Sequence, residues 1–173
     1  MKNIIITGTS RGIGLELALQ FANEGHQVLA ISRKTPKELL ENSNITCLSV
    51  DLSDEKGLHQ VTDFLSQAWK KVDIVIHNAG SLVLKPFSQL TQSDFEKVYQ
   101  VNVFAVANLT RVCLPFMQKG GHVVTISSMG GIQGSMKFSG LAAYSSSKGA
   151  VITLSELLAE EYKEQGISFN VLA

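Results

Sequence analysis

The stretch IIITGTSRGIG, Ile4 to Gly14, sets three isoleucines ahead of glycines at positions 8, 12 and 14, with Arg11 the only bulky side chain between Gly8 and Gly12. An unbroken β-branched run is the pattern of a strand buried on both faces. Helical spacing follows, from Ile13 to Asn23. A strand, a tight turn and a helix N-terminus in succession bring main-chain N–H groups and the positive end of the helix dipole to one point, where an anion is favoured. Gly8 is expected to permit the turn, Gly12 to keep a side chain out of the path of a diphosphate, and Gly14 to let the helix pack closely on the sheet.

The alternation continues outward from this stretch. Runs rich in valine and isoleucine recur at Val28–Ile31, Ile45–Val50, Ile74–Ile76, Val123–Ile126 and Ile167–Leu172, after Ile4–Thr7. Helical spacing separates them at Pro36–Glu41, Asp54–Trp69, Gln92–Met117 and Tyr144–Glu164. Parallel neighbours need a crossover long enough to hold a helix, and that crossover is right-handed. The expected fold is therefore α/β: a doubly wound parallel sheet in three α/β/α layers, about six strands in the order 3-2-1-4-5-6. One dinucleotide-binding domain over residues 1–173 is expected to carry the catalytic residues as well. The longest unpatterned stretch, Ser128–Ala143, holds four glycines, and a loop of that length inside a compact domain is usually functional.

Composition narrows the partners. With 45% hydrophobic and 17% charged residues the chain is globular and not disordered. Fifteen basic and fifteen acidic residues cancel without gathering into runs, so no nucleic-acid partner is expected. No apolar run reaches the roughly 18 residues of a membrane span, and MKNIIITG is too short for a signal peptide, so the expectation is a cytoplasmic protein with no membrane partner. Cys47 and Cys113 stand isolated, which suits reduced core thiols, and no metal site is expected.

T-G-x-x-x-G-x-G at Thr7–Gly14 resembles the cofactor loop of the short-chain dehydrogenase/reductase family. Asn78-Ala79-Gly80 after the fourth strand resembles that family's N-A-G, and Asp51 follows the third strand, where the family's aspartate meets the adenine. Asn102 in VNVF, Ser128 in ISSMGG, and Tyr144 with Lys148 in YSSSK complete the motifs in the family's order, across the whole chain. The resemblance implies a cofactor site built from Gly8, Ser10, Arg11, Gly12, Ile13, Gly14, Ser32, Arg33, Asp51, Leu52, Asn78, Ala79 and Gly80, together with Tyr144 and Lys148. It implies hydride transfer between the cofactor and a small-molecule carbonyl or alcohol substrate.

The second strand ends in Ile31-Ser32-Arg33-Lys34. Enzymes that prefer NAD place an acid there for the ribose 2′-hydroxyl, whereas a 2′-phosphate needs a cation. The Arg33 guanidinium suits phosphate oxygens, Arg11 adds a second charge, and Ser32 is a supporting hydroxyl, so NADP(H) is the expected cofactor.

Tyr144 and Lys148 are four positions apart and share a helix face. Tyrosine phenols titrate too high to exchange protons readily at neutrality, and a neighbouring ammonium favours the ionised form. The resemblance implies that Tyr144 gives its proton to the substrate oxygen, that Lys148 also holds the nicotinamide ribose hydroxyls, and that Ser128, with Ser127 as the fallback, donates a hydrogen bond to the same oxygen. Asn102 is implied to interrupt its helix and hold a water that links Lys148 to solvent. His77 is read as a packed histidine and not a catalytic one.

The loop after Ser128 is about three residues longer than the family's spacing implies. Met136, Phe138 and Leu141 are read either as lining the substrate pocket or as exposed loop or dimer contacts. Family members continue from a strand like ISFNVLA into a Pro-Gly turn, a substrate-covering segment and a further strand. Their lack is expected to weaken turnover, which leaves a catalytically weak NADP(H)-binding or interaction protein as the alternative reading. Ile167–Leu172 is expected at the sheet edge, and a homodimer is expected through helices 92–117 and 144–164.

Overall fold

A computed structural model describes residues 1–173. β1 (Asn3–Thr7), β2 (Gln27–Ser32), β3 (Ile45–Ser49), β4 (Val72–His77), β5 (Met117–Ile126) and β6 (Ser168–Leu172) form one parallel sheet in the order β3-β2-β1-β4-β5-β6. This is the expected order, and β6 lies at an edge. Ile5 of β1 pairs with Leu29 on one side and Val75 on the other. The chain leaves β1 toward β2 and later returns to its other side as β4, so their carboxyl ends open a crevice at the point where strand order reverses.

β1 explains the unbroken isoleucine run. Ile4, Ile5 and Ile6 are all fully buried. Side chains alternate between faces, and Ile5 joins a core with Leu29, Val75, Val61 and Leu109, while Ile4 and Ile6 join another with Val28, Ala18 and Ala22. The first core lies under α3 (Glu55–Phe64) and α5 (Ala105–Cys113), the second under α1 (Gly12–Asn23) and α2 (Lys37–Leu40). Asp54 caps α3 by accepting from the Lys56 N–H at 3.2 Å.

The single helix expected over Gln92–Met117 is instead α4 (Gln92–Tyr99), a π-helical turn over Gln100–Phe104, α5 and a 3-10 turn over Leu114–Phe116. Two local causes break it. Asn102 turns its side chain to the main chain of Ser81, and a widened turn accommodates that residue. Pro115 lacks an N–H and ends the helical ladder, so Met117 already begins β5. α6 (Ala142–Glu161) starts two residues before Tyr144 and stops short of the expected Glu164. The Asp54–Trp69 segment likewise ends in a π-helical turn over Leu65–Trp69, closed by Lys70 with φ of 55°. No helix is long and apolar enough to cross a membrane.

Candidate active site

The turn after β1 and the segment after β4 are stitched together. The Thr7 hydroxyl accepts from the N–H groups of Asn78 at 3.1 Å and Ala79 at 3.0 Å. In return the Asn78 side-chain amide donates to the carbonyls of Thr7 at 3.0 Å and Gly8 at 3.2 Å. Gly8 has φ of +74°, and a methyl group there would lie 2.8 Å from Ala79 Cα. Gly14 lets α1 approach the ends of β1 and β4 closely: its missing methyl would fall 2.4 Å from the Gly8 carbonyl oxygen and 2.5 Å from Asn78 Nδ2. Gly12 has open space around it and is required by its backbone, with φ of +59°.

A cleft of about 750 Å³ runs from this turn across the carboxyl ends of the strands. Following the strand order, Asp51 and Leu52 after β3, Ser32 and Arg33 at β2, Gly8, Ser10 and Arg11 after β1, and Asn78, Ala79 and Gly80 after β4 line it. Gly12, Ile13 and Gly14 of the expected set lie outside its wall. The Ser32 hydroxyl donates to the Lys34 carbonyl at 2.8 Å, and Ser32 lines the cleft beside Arg33. Asp51 accepts from the Ser53 hydroxyl at 2.6 Å and the Ser53 N–H at 2.9 Å. Those bonds, with a smaller contribution from the Arg33 charge, hold its carboxyl below the ordinary range. The residues fit a phosphate-bearing dinucleotide: the cleft wall carries bare main chain at Gly8 beside the start of α1, the side chains of Arg11 and Arg33 line it, and the space at Gly12 that a side chain would enter is open.

Tyr144, Lys148 and Asn102 gather beyond the Gly80 end without lining that cleft, and Ser128, after β5, does not line it either. A methyl group on Gly80 would lie 3.7 Å from Asn102 Oδ1 and 3.9 Å from Lys148 Nζ. The Lys148 ammonium is buried, donates to the Ile126 carbonyl at 2.7 Å, and sits 5.8 Å from the centre of the Tyr144 ring. Burial pulls its pKa down to about 8. The Tyr144 hydroxyl, on a half-buried side chain, makes no hydrogen bond within the chain.

The family model for short chain dehydrogenases matches residues 2–173. The chain belongs to the short-chain dehydrogenase family. It is 32% identical over 181 residues to the 7alpha-hydroxysteroid dehydrogenase of Escherichia coli K12, an alignment that covers 99% of this chain and 69% of the relative. Among solved structures, Pseudomonas aeruginosa RhlG in complex with NADP matches with a TM-score of 0.89 and 29% identity, over 99% of this chain and 71% of that one. A 4-hydroxyisoleucine dehydrogenase in complex with NADH matches with a TM-score of 0.86 and 29% identity, over 99% and 74%. The chain spans 62% of the length of several further curated relatives.

Within this chain the two serines after β5 part company. The Ser127 hydroxyl is buried and donates to the Lys148 carbonyl at 2.9 Å. The Ser128 hydroxyl only accepts, from the Gly130 N–H at 3.3 Å, and keeps its own proton to give. The Asn102 side chain is held by partners within the chain. Oδ1 accepts from the Ser81 N–H at 2.7 Å, and Nδ2 donates to the Ser81 carbonyl and the Ser147 hydroxyl, both at 2.9 Å. Ser81 and Ser147 are the polar partners that sequence reasoning passed over. Their only signal was position, directly after Asn78-Ala79-Gly80 and directly before Lys148.

His77 is buried against the Thr110 hydroxyl at 2.8 Å, and desolvation lowers its pKa to about 4, so it is a packed histidine. In the loop after Ser128, Met136 and Phe138 face solvent and Leu141 is half-buried. The Lys137 ammonium ties that loop to the carbonyls of Gly130 and Ile132. The Lys85 N–H donates to the Gly140 carbonyl at 3.0 Å, which joins it to the segment after β4.

Proposed function

We propose that this chain supplies the cofactor-binding and catalytic machinery of an NADP(H)-dependent carbonyl reductase, equally an alcohol dehydrogenase in the reverse direction. Arg11 and Arg33 would hold the 2′-phosphate, the bare main chain from Gly8 to Ser10 the diphosphate, Asp51 and Leu52 the adenine, and Asn78 to Gly80 the far end. Bound there, the nicotinamide supplies or accepts the hydride. Tyr144 gives a proton to the carbonyl oxygen during reduction and takes it back during oxidation. The Lys148 ammonium favours negative charge on the phenol oxygen, and the free proton of Ser128 is aimed at the charge that develops on the substrate oxygen.

The observation that carries this reading is the buried Lys148 ammonium, set between the Tyr144 ring and the Gly80 end of the cleft. A buried cation with one carbonyl partner costs stability, and proton transfer at Tyr144 accounts for its place. The assay is NADPH oxidation with a panel of ketones and aldehydes, beside Tyr144→Phe. Turnover in the wild-type chain and a loss of about 100-fold or more in the variant are expected; equal turnover in the two removes Tyr144 as the acid.

We also propose a homodimer through α4, α5 and α6, on the grounds that Phe104, on the π-helical turn between α4 and α5, and Leu157, on α6, are 49% and 64% exposed, an arrangement suited to a helix-paired interface. Gel filtration at micromolar concentration is expected to give twice the chain mass, and a single-chain mass rejects it. The free thiols of Cys47 and Cys113 fit a reducing cytoplasm.

A further inference from the structure

We propose that Ser147 is a positioning residue for the reaction: its hydroxyl locks the Tyr144 turn of α6 to the Ser81 segment at the end of the cleft, through Asn102. This rests on Tyr144 being the acid.

The hydroxyl spends its proton and one of its lone pairs on this link. It donates to the Tyr144 carbonyl at 2.6 Å and accepts from Asn102 Nδ2 at 2.9 Å. Asn102 in turn grips Ser81 from both sides, accepting from its N–H and donating to its carbonyl. A continuous chain of hydrogen bonds thus joins the backbone of the proposed acid to the residue that follows Gly80. Ser147 is fully buried and Asn102 nearly so. Water cannot replace either partner there, and a lost hydroxyl leaves an amide hydrogen without an acceptor.

The bond to the Tyr144 carbonyl runs back three residues within the helix. A serine that bonds backward in this way tilts the carbonyl it holds and bends the helix locally. The affected turn carries both Tyr144 and Lys148. That turn is held at two further points, by Ser127 on the Lys148 carbonyl and by the Ile126 carbonyl on the Lys148 ammonium. Those anchors fix the Lys148 end, and Ser147 alone fixes the Tyr144 end against α4's π-helical continuation. Small misplacement of a reacting group is costly to rate, so the effect belongs in kcat and not in cofactor affinity.

The experiment compares wild type with Ser147→Ala, Ser147→Thr and Ser155→Ala, the last at another buried serine on the same helix. Two quantities are measured: amide exchange at Ser81 in the cofactor-free protein, and kcat and KM with NADPH and a ketone the wild type reduces. In Ser147→Ala, Ser81 exchange is expected to accelerate about tenfold and kcat to fall about tenfold or more, with KM for NADPH changed by less than about twofold. Ser147→Thr keeps the hydroxyl and restores both in part; Ser155→Ala moves neither. Unchanged Ser81 exchange in Ser147→Ala, or equal effects from Ser155→Ala, overturns the proposal. Should Ser147→Ala fail to fold, the Thr variant decides, since wild-type exchange and kcat there support the hydroxyl link and loss of both opposes it. A wild type without carbonyl turnover refutes the reading of the site, while Ser81 exchange, which needs no substrate, still tests the link.

Discussion

Lys148 Nζ stands 5.8 Å from the centroid of the Tyr144 ring while bonded to the Ile126 carbonyl at 2.7 Å, so one cation is shared between the end of β5 and the proposed acid. Its pKa of about 8 leaves it mostly charged at neutral pH. Lys148→Met keeps the bulk and removes the charge. Carbonyl reduction is expected to fall about 100-fold or more in that variant, measured as kcat at saturating NADPH. Retention of half the wild-type rate would show that the ammonium is not needed.

The same lysine makes an unusual mark on stability. Its pKa falls from 10.5 in the unfolded chain to about 8 in the fold, so between those values the unfolded state binds more protons. Stability then rises with pH across that window and is lost as pH falls back toward 8. Relative to Lys148→Met, the wild type is expected to gain about 3 kcal/mol between the two values, read from urea melts. A constant difference between the two proteins over that range contradicts a buried, protonated Lys148.

Arg33 lines the cleft beside Ser32, and no acid stands there. A charge-assisted bond to phosphate is worth about 1.5–3 kcal/mol, so Arg33→Ala is expected to weaken NADPH binding roughly ten- to hundredfold. NADH lacks the phosphate and its affinity should barely move. Equal losses for both, by titration calorimetry, would mean that Arg33 does not read the 2′-phosphate.

The parts of this site that could be read from residues alone are those governed by local pattern. Ile4–Ile6 announce a doubly buried strand because both faces of β1 are covered, and the glycines announce the turn because φ is positive at Gly8 and Gly12. The resemblance implied a break in the helix at Asn102, which the π-helical turn over Gln100–Phe104 shows, but the partner behind that break was not legible. That partner is Ser81, 21 positions away, and helical periodicity carries no trace of it. Ser127 and Ser128 were equally eligible on composition. Only the fold shows that the first bonds inward to the Lys148 carbonyl and the second keeps its proton. The particular partners that require Gly14, the turn carbonyl of Gly8 and the Asn78 side chain, were hidden for a similar reason.

Gly14 and Gly12 separate two reasons for glycine within one turn. An alanine methyl at position 14 would sit 2.4 Å from a main-chain oxygen, which cannot step aside as a flexible side chain can. Gly14→Ala is expected to cost about 1–3 kcal/mol of stability and to abolish measurable NADPH binding, because the phosphate turn itself must move. At position 12 the methyl meets nothing within 4 Å. Gly12→Ala therefore bears a left-handed backbone penalty of about 1–2 kcal/mol in stability, and its methyl, entering the path kept open for the diphosphate, weakens NADPH binding without abolishing it. If Gly12→Ala were to lose cofactor binding as completely as Gly14→Ala, the contact argument would fail.

His77 predicts the acid limb. It is fully enclosed at the end of β4, bonded to Thr110, and its pKa drops from 6.5 to about 4 for want of solvation. An unfolded chain takes up this proton near pH 6.5, whereas the native chain refuses it until about pH 4. Between the two the unfolded state holds the extra proton, so stability falls as the solution is acidified. The contribution lost across that window is about 3 kcal/mol, a large share of a small domain's total stability. His77→Gln removes the titration. Its urea midpoint should be lower than wild type near neutrality if the histidine packs better, but it should decline less from pH 6.5 to pH 4. Parallel declines in the two proteins would show that the ring already carries its proton inside the fold, and would reopen a role for it in proton movement at the cleft.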